Sequence, residues 1–103
     1  SIINKEKAIN QLNYNHLRYF HAIAQEGSIV KAAKLLHLSP QTISGQLSVF
    51  EDYLGVQLFE RKGKRLILND TGKLTLSYAE DIFLLGTELQ QSLKKKDRHQ
   101  QFS

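Results

Sequence analysis

The dipeptide Ser39-Pro40, between two short segments of helical periodicity, restricts the fold of this chain more than any other feature. Serine is a favoured helix N-cap, and proline at the first helical position gives up only an amide that has no partner inside the helix. A helix is therefore predicted to begin at Pro40 and to end near Leu54, before Gly55. Its apolar residues are spaced four, three and four positions apart and form one stripe: Ile43, Leu47, Phe50 and Leu54.

A shorter helix precedes this turn, from about Ile29 to His37, with Ser28 in the N-cap position. Its buried side is predicted to consist of Ile29, Ala32, Ala33, Leu35 and Leu36. Because two adjacent alanines allow another helix to approach closely, the two segments and their short turn predict a helix-turn-helix unit.

A helix and a hairpin flank this unit. The helix runs from about Tyr14 to Gln25, with Asn13 or Asn15 as its N-cap, and Gly27 stops it. After the unit, two short apolar runs around Lys62-Gly63-Lys64 predict a β-hairpin. So small a hairpin is not stable alone, and we expect it to pack on the helices.

The last segment predicts a helix that extends beyond so small a domain. It runs from about Asp70 to Lys96, with Asn69 or Thr71 as its N-cap, and at 1.5 Å per residue it would be roughly 40 Å long. Its apolar stripe needs a partner, and a second copy of the chain is the simplest one. The predicted dimer interface is Tyr78, Ile82, Leu85, Leu89 and Leu93.

The start of the third helix is the surface that a helix-turn-helix unit exposes. Glutamine can pair with an adenine edge, a threonine methyl can touch a thymine methyl, and helix N-terminal amides can bind a phosphate. The candidate DNA-contacting residues are Ser39, Pro40, Gln41, Thr42, Ser44, Gly45 and Gln46. Helix pairs of this kind also occur in proteins that never touch DNA, so this spacing alone leaves both interpretations open.

The hairpin favours the DNA interpretation. Residues 60–65 have a local surplus of +3, out of a net charge of +4 for the chain. Turns often contain lysine and glycine, but a basic tip beside a recognition helix is suited to contact with phosphates or the minor groove. The candidates are Arg61, Lys62, Lys64 and Arg65.

The composition excludes several other classes of function. The chain has no cysteine, so disulfides, thiolate zinc sites and a cysteine nucleophile are impossible. His16 and His21 are five residues apart, not the three or four that would stack two ligands on one helix face. We therefore expect no enzyme, no metal and no cofactor. No apolar run approaches the 20 or so residues of a membrane span, and we expect a cytoplasmic protein.

A connected pattern runs through most of the chain: Leu17, Phe20, Gly27-Ser28, Ala32-Ala33, Leu36, Leu38-Ser39, Ile43-Ser44, Gln46-Leu47, Glu51, Leu54-Gly55, Leu58-Phe59, Arg61, Leu68 and Gly72. In this order and spacing, it resembles the DNA-binding domain of LysR-type transcriptional regulators, over about residues 13–93. The runs at residues 13–17 and 40–46 resemble the subgroup that contains the sodium/proton antiporter activator.

The resemblance implies a mainly α fold, a winged helix-turn-helix with a three-helix core and a two-strand wing, followed by a long dimerisation helix. It implies a homodimer, or a tetramer of the full-length regulator, on a pseudo-palindromic double-stranded DNA site. It also implies an effector domain after the long helix, to which a small molecule or ion would bind. That domain has no counterpart here, so we expect the N-terminal part of a longer regulator.

The predicted organisation has three parts. Residues 1–13 are an N-terminal arm or a cloning remnant, residues 14–69 are the winged helix-turn-helix domain, and residues 70–103 are the linker helix with its tail. The sequence departs from the usual family pattern in the order Pro40-Gln41-Thr42, at Gly45, where a basic residue is common, and at Phe50, where leucine is usual. The usual base contacts of the family are therefore not carried over to these positions.

Two interpretations of function follow. The first is sequence-specific binding of double-stranded DNA, with the third helix in the major groove and the basic wing on the backbone or minor groove. The alternative is a winged-helix protein-interaction module that dimerises through its long helix.

Overall fold

The computed structural model of the protein describes residues 12–102. Over this range, four helices and one antiparallel pair of strands follow one another: α1 (Tyr14–Glu26), α2 (Ile29–Leu36), α3 (Pro40–Leu54), β1 (Phe59–Lys62), β2 (Arg65–Leu68) and α4 (Asp70–Phe102). The predicted mainly α, winged helix-turn-helix fold with a long last helix is confirmed. The predicted N-terminal arm lies outside the described residues except for Leu12 and Asn13.

Local side-chain caps begin the helices, and they resolve the two choices that the sequence left open. Asn13 caps α1, since its side-chain oxygen accepts a hydrogen bond from the Asn15 amide at 2.8 Å. Asn69 caps α4 by accepting from the Gly72 amide at 2.7 Å. Ser28 caps α2 in the predicted manner, accepting from the Lys31 backbone amide at 3.2 Å.

Three helix ends differ from the predictions. Helix α1 includes Glu26 and stops at Gly27, which is left-handed with φ 66°. Helix α2 ends at Leu36, because His37 is itself left-handed with φ 58° and its amide bonds back to Ala33 and Lys34. Helix α4 continues past Lys96 to Phe102, which extends its length to roughly 50 Å.

The core lies where the first three helices meet the wing. Its largest fully buried side chains are Phe20, Phe50, Ile23, Ile43 and Leu58. The Phe20 ring is 5.9 Å from the Phe50 ring and 5.5 Å from the Phe59 ring, measured between centroids. Burying each large apolar side chain contributes about 1.5–3 kcal/mol, so this cluster is the main source of stability.

Helix α2 contributes less to the core than its apolar sequence predicts. Ala32 and Ala33 are buried, as expected, and Ile29 and Leu36 are half-buried against the core. Leu35 was predicted to be buried, but this is wrong: 56% of its surface is exposed. The helix has only eight residues and contacts the core through its two buried alanines. Leu35 lies outside this contact surface and is therefore exposed.

The wing is a tight hairpin that backbone hydrogen bonds hold against the helices. Its strands pair from Phe59 opposite Leu68 to Lys62 opposite Arg65. Gly63, at φ 64°, supplies the positive φ of the intervening two-residue turn. In β2, one residue after the pair that flanks the turn, the Leu66 amide donates to the Gly27 carbonyl at 3.0 Å. The hairpin therefore packs on the helices, as its small size predicted.

Helix α4 leaves the wing and packs across α1 before it extends away. Its first turn fits closely, because a Cβ at Gly72 would overlap the carbonyl oxygen of Leu58. Further along, Ala79 is buried and Phe83 packs edge-on against Tyr14, with ring centroids 5.4 Å apart. Within residues 12–102, no helix is long and apolar enough to cross a membrane.

Candidate nucleic-acid interface

The outward face of α3 begins at its N-terminus. Gln41, Ser44 and Gly45 are exposed there, and helical spacing puts all three on the side opposite the buried Ile43 and Phe50. Sequence reasoning missed a further member of this face: Ser48 is also exposed, four residues after Ser44 and seven after Gln41. That spacing was the available signal.

Part of the predicted contact set is used in capping the helix. The Ser39 hydroxyl accepts from the Thr42 amide at 3.1 Å and lies 2.8 Å from the Thr42 hydroxyl. Both side chains remain exposed, and so does Pro40. Because the Thr42 hydroxyl bonds within the cap, its methyl group is the part left to meet a ligand.

Gln46 lies on the flank of α3 rather than on its outward face. It is half-buried, and its side-chain oxygen is 2.7 Å from Nε2 of His16 on α1. The prediction of a fully outward Gln46 therefore differs from the structure. Sequence spacing gave no signal for this pair, since 30 residues separate its members.

The fold does not require the glycine at position 45. A Cβ there would meet nothing within 4 Å, in contrast to the overlap at Gly72. A glycine inside a helix costs about 1 kcal/mol relative to alanine. Gly45 therefore lowers the stability of α3 with no structural benefit, on the face that is proposed to meet a ligand.

The acidic residues of α3 come later in the sequence than the outward face formed by Gln41, Ser44, Gly45 and Ser48. Glu51 turns to one flank, where Oε2 accepts from the Leu58 amide at 2.8 Å. Asp52 is exposed in the same late part of the helix. Carboxylates there would repel DNA phosphates, so the chemistry suited to DNA lies in the N-terminal half of α3.

The wing has four exposed basic side chains at its tip: Arg61, Lys62, Lys64 and Arg65. Lys62 stands directly opposite Arg65 in the strand register. Like charges in directly opposite positions destabilise a hairpin, and a bound anion would relieve that repulsion. The Glu51–Leu58 hydrogen bond ties the start of this hairpin to α3.

The predicted dimer stripe lies along one side of α4. Tyr78, Leu85, Leu89 and Leu93 are more than half exposed, whereas Ile82 is half-buried against the core. Leu74 was missed, although it precedes Tyr78 by four residues and is 61% exposed. The exposed stripe therefore begins one turn earlier than predicted, and Ile82 lies at its inner edge.

The residues that the structure describes contain no group of three or more His, Asp or Glu side chains able to hold a metal ion. The candidate site is instead an exposed surface, with polar side chains on α3 and basic side chains on the wing.

A helix-turn-helix with an exposed second helix, a basic wing and a long trailing helix defines the winged helix-turn-helix class of DNA-binding domains. The chain belongs to the lysR family of bacterial regulatory helix-turn-helix proteins, whose family model matches residues 14–73. Relatives in this family are transcriptional regulators and not enzymes.

The chain is similar in sequence to the transcriptional activator protein NhaR of Escherichia coli (strain K12). The two are 44% identical over 82 residues, which cover 80% of this chain and 27% of that protein. The chain thus spans about a quarter of the length of this curated relative.

Two solved DNA complexes share the fold. The DNA complex of the CbnR DNA-binding domain has a TM-score of 0.78 and 32% identity, over 82% of this chain and 98% of that one. The complex of the BenM DNA-binding domain with benA site 1 DNA has a TM-score of 0.73, with the same identity and coverage. The chain is therefore a LysR-family helix-turn-helix DNA-binding domain.

Proposed function

We propose that this chain binds double-stranded DNA in a sequence-specific manner, as the reading domain of a LysR-type transcriptional regulator. In this proposal, residues 14–69 form the DNA-binding unit and residues 70–103 form the linker helix and its tail. The observation that supports it most is the outward face of α3, where Gln41, Ser44 and Gly45 are exposed and the fold has no need for the glycine.

The N-terminal half of α3 enters the major groove. Gln41 is exposed, and its amide can donate to and accept from an adenine edge. The methyl group of Thr42 can contact a thymine methyl, because the hydroxyl is held by Ser39. Gly45 allows the helix backbone to approach the DNA, since no side chain intervenes.

The wing contacts the backbone or the minor groove. Its four cations are exposed, and the pairing of Lys62 with Arg65 favours a bound anion. Such contacts position the domain on the duplex and add affinity that depends on salt, while the base contacts of α3 supply the specificity. The wing therefore makes the contacts common to all sequences.

Two copies of the chain associate through α4. The exposed apolar side chains Leu74, Tyr78, Leu85, Leu89 and Leu93 recur at helical spacing and have no cover within the described part of the chain. A homodimer buries this stripe, and its two-fold symmetry reads two inverted half-sites of a pseudo-palindrome. In a full-length regulator, such dimers can pair into a tetramer. This role requires a cytoplasmic location, where bacterial DNA lies.

Selection from a random double-stranded DNA library tests the proposal. We expect enrichment of two inverted half-sites whose centres are one helical turn, or a multiple of it, apart. Enrichment of a single half-site would contradict the symmetric dimer but retain specific reading. Weak, salt-insensitive binding without enrichment would overturn the DNA function and favour the protein-interaction module.

A further inference from the structure

One side-chain pair links α1 to the flank of the candidate reading helix. His16 lies half-buried on α1, and its Nε2 is 2.7 Å from the side-chain oxygen of Gln46 on α3. The other ring nitrogen, Nδ1, is buried and has no hydrogen-bond partner within residues 12–102. The ring also packs at 6.1 Å, centroid to centroid, from the buried Phe50.

The pair has a defined polarity. An amide oxygen only accepts hydrogen bonds, so Nε2 of His16 must carry the hydrogen that it donates. In the neutral ring, Nδ1 then holds a lone pair that finds no donor, and such a buried acceptor costs free energy. An apolar side chain beside Phe50 would pack without that cost. Packing alone therefore does not account for a histidine at this position.

We propose that His16 is a positioning residue that directs the NH2 group of Gln46 toward the DNA. The oxygen of the amide is held inward by His16, so the nitrogen on the other side of the same carbon faces away from α1. This inference rests on the proposed function, because it assumes that α3 lies in the major groove.

A base preference follows from this orientation. A glutamine with both amide atoms free can pair with adenine in a bidentate manner, donating to N7 and accepting from N6. Because the bond to His16 turns the oxygen of Gln46 toward α1, the NH2 donors are the groups of this amide that face outward. It is therefore suited to a base edge that presents acceptors alone, which are N7 and O6 of guanine or O4 of thymine. Gln41 and Gln46 are therefore suited to different base edges: Gln41 to an adenine edge, which offers a donor and an acceptor, and Gln46 to an edge that offers acceptors.

Two conservative variants of His16 separate positioning from packing. Glutamine places an amide nitrogen near the position of Nε2, and asparagine places one near Nδ1. His16→Gln should therefore keep a donor for Gln46, whereas His16→Asn should lose it. Circular dichroism and urea unfolding verify that both variants fold. The readout is the relative affinity of the folded protein for the selected site and for every single-base substitution in one half-site.

We expect His16→Asn to reduce discrimination at one base pair of the half-site by roughly three- to tenfold, the size of one net hydrogen bond, with the other positions unchanged. His16→Gln should retain the wild-type profile. Gln46→Ala should lose discrimination at the same position, and adding His16→Asn to it should change the profile no further.

Several results would overturn the inference. One is a wild-type profile for His16→Asn, and another is an affinity loss equal on all duplexes, as expected if the NH2 group met a phosphate or if the ring only supported packing. A wild-type chain without any base preference would instead overturn the proposed function itself, so the two failures are distinguishable.

Discussion

The carboxylate of Glu51 accepts a hydrogen bond from the backbone amide of Leu58 at 2.8 Å. Glu51 lies on α3, and Leu58 is the fully buried residue that immediately precedes the wing. The hydrogen bond therefore fixes the wing relative to the helix proposed to read DNA. The Leu58 carbonyl in turn accepts from the Asn69 amide at 3.1 Å, which connects the same point to the start of α4.

Replacing Glu51 with alanine should lower the free energy of unfolding by about 1–3 kcal/mol, because the Leu58 amide would lose its partner in a region with little water. Glu51→Gln is the matched control, since its amide oxygen can still accept the hydrogen bond. Urea denaturation of both variants measures the effect. An alanine variant as stable as the wild type would show that the hydrogen bond contributes nothing to the fold.

Gly45→Ala should raise the free energy of unfolding by up to about 1 kcal/mol, because the added methyl group meets nothing within 4 Å and alanine favours the helix. The same methyl group should weaken DNA binding if the α3 backbone approaches the duplex closely. Thermal unfolding and a titration with the selected site measure the two effects.

The control for this variant is Gly86→Ala, at a half-buried glycine of α4 outside the candidate interface. Its added Cβ would lie 3.5 Å from the Tyr14 hydroxyl, an ordinary contact. We expect it to leave DNA affinity unchanged. Equal affinities for the two variants would show that Gly45 does not face the DNA.

Gln41→Ala should relax base preference, at a cost of about 1–3 kcal/mol on the preferred site and little on others. Gln41 is exposed at the start of α3, and its proposed role is a base contact and no phosphate contact. Competition binding against single-base variants of the site measures the change. A loss of equal size on every duplex would assign Gln41 to the DNA backbone instead.

Lys64→Ala should weaken binding to all sequences alike and reduce the slope of log K against log salt by about 1. Lys64 lies in the turn of the wing and is exposed, so we expect its ammonium group to meet a phosphate. Titrations at several salt concentrations, on the preferred site and on an unrelated duplex, measure this. A change confined to the preferred site would argue for base reading by the wing.

Leu89→Glu should shift the chain from dimer to monomer at micromolar concentration, because a carboxylate on the apolar stripe of α4 would be buried without a partner. Leu84→Glu is the control: Leu84 is equally exposed on the same helix, but it faces away from the stripe. Sedimentation velocity distinguishes the two states. A wild-type chain that is already monomeric would contradict the proposed dimer.

The sequence by itself determined the order and type of the elements. Ser28 and Ser39 specify helix starts through hydrogen bonds to amides three residues away, so their effect depends on local sequence alone. Pro40 acts locally too, because its fixed φ suits the first helical position. The apolar spacing of α3 likewise identified Ile43 and Phe50 as core residues, because helical geometry puts them on one face whatever the helix packs against.

Only the tertiary structure decided which side chains meet across elements. Leu35 is as apolar as its neighbours, yet it is exposed because α2 contacts the core through its alanines. His16 and Gln46 are 30 residues apart, and Glu51 reaches the wing rather than solvent. These contacts depend on the distances and angles between packed helices, which local propensity and periodicity do not encode.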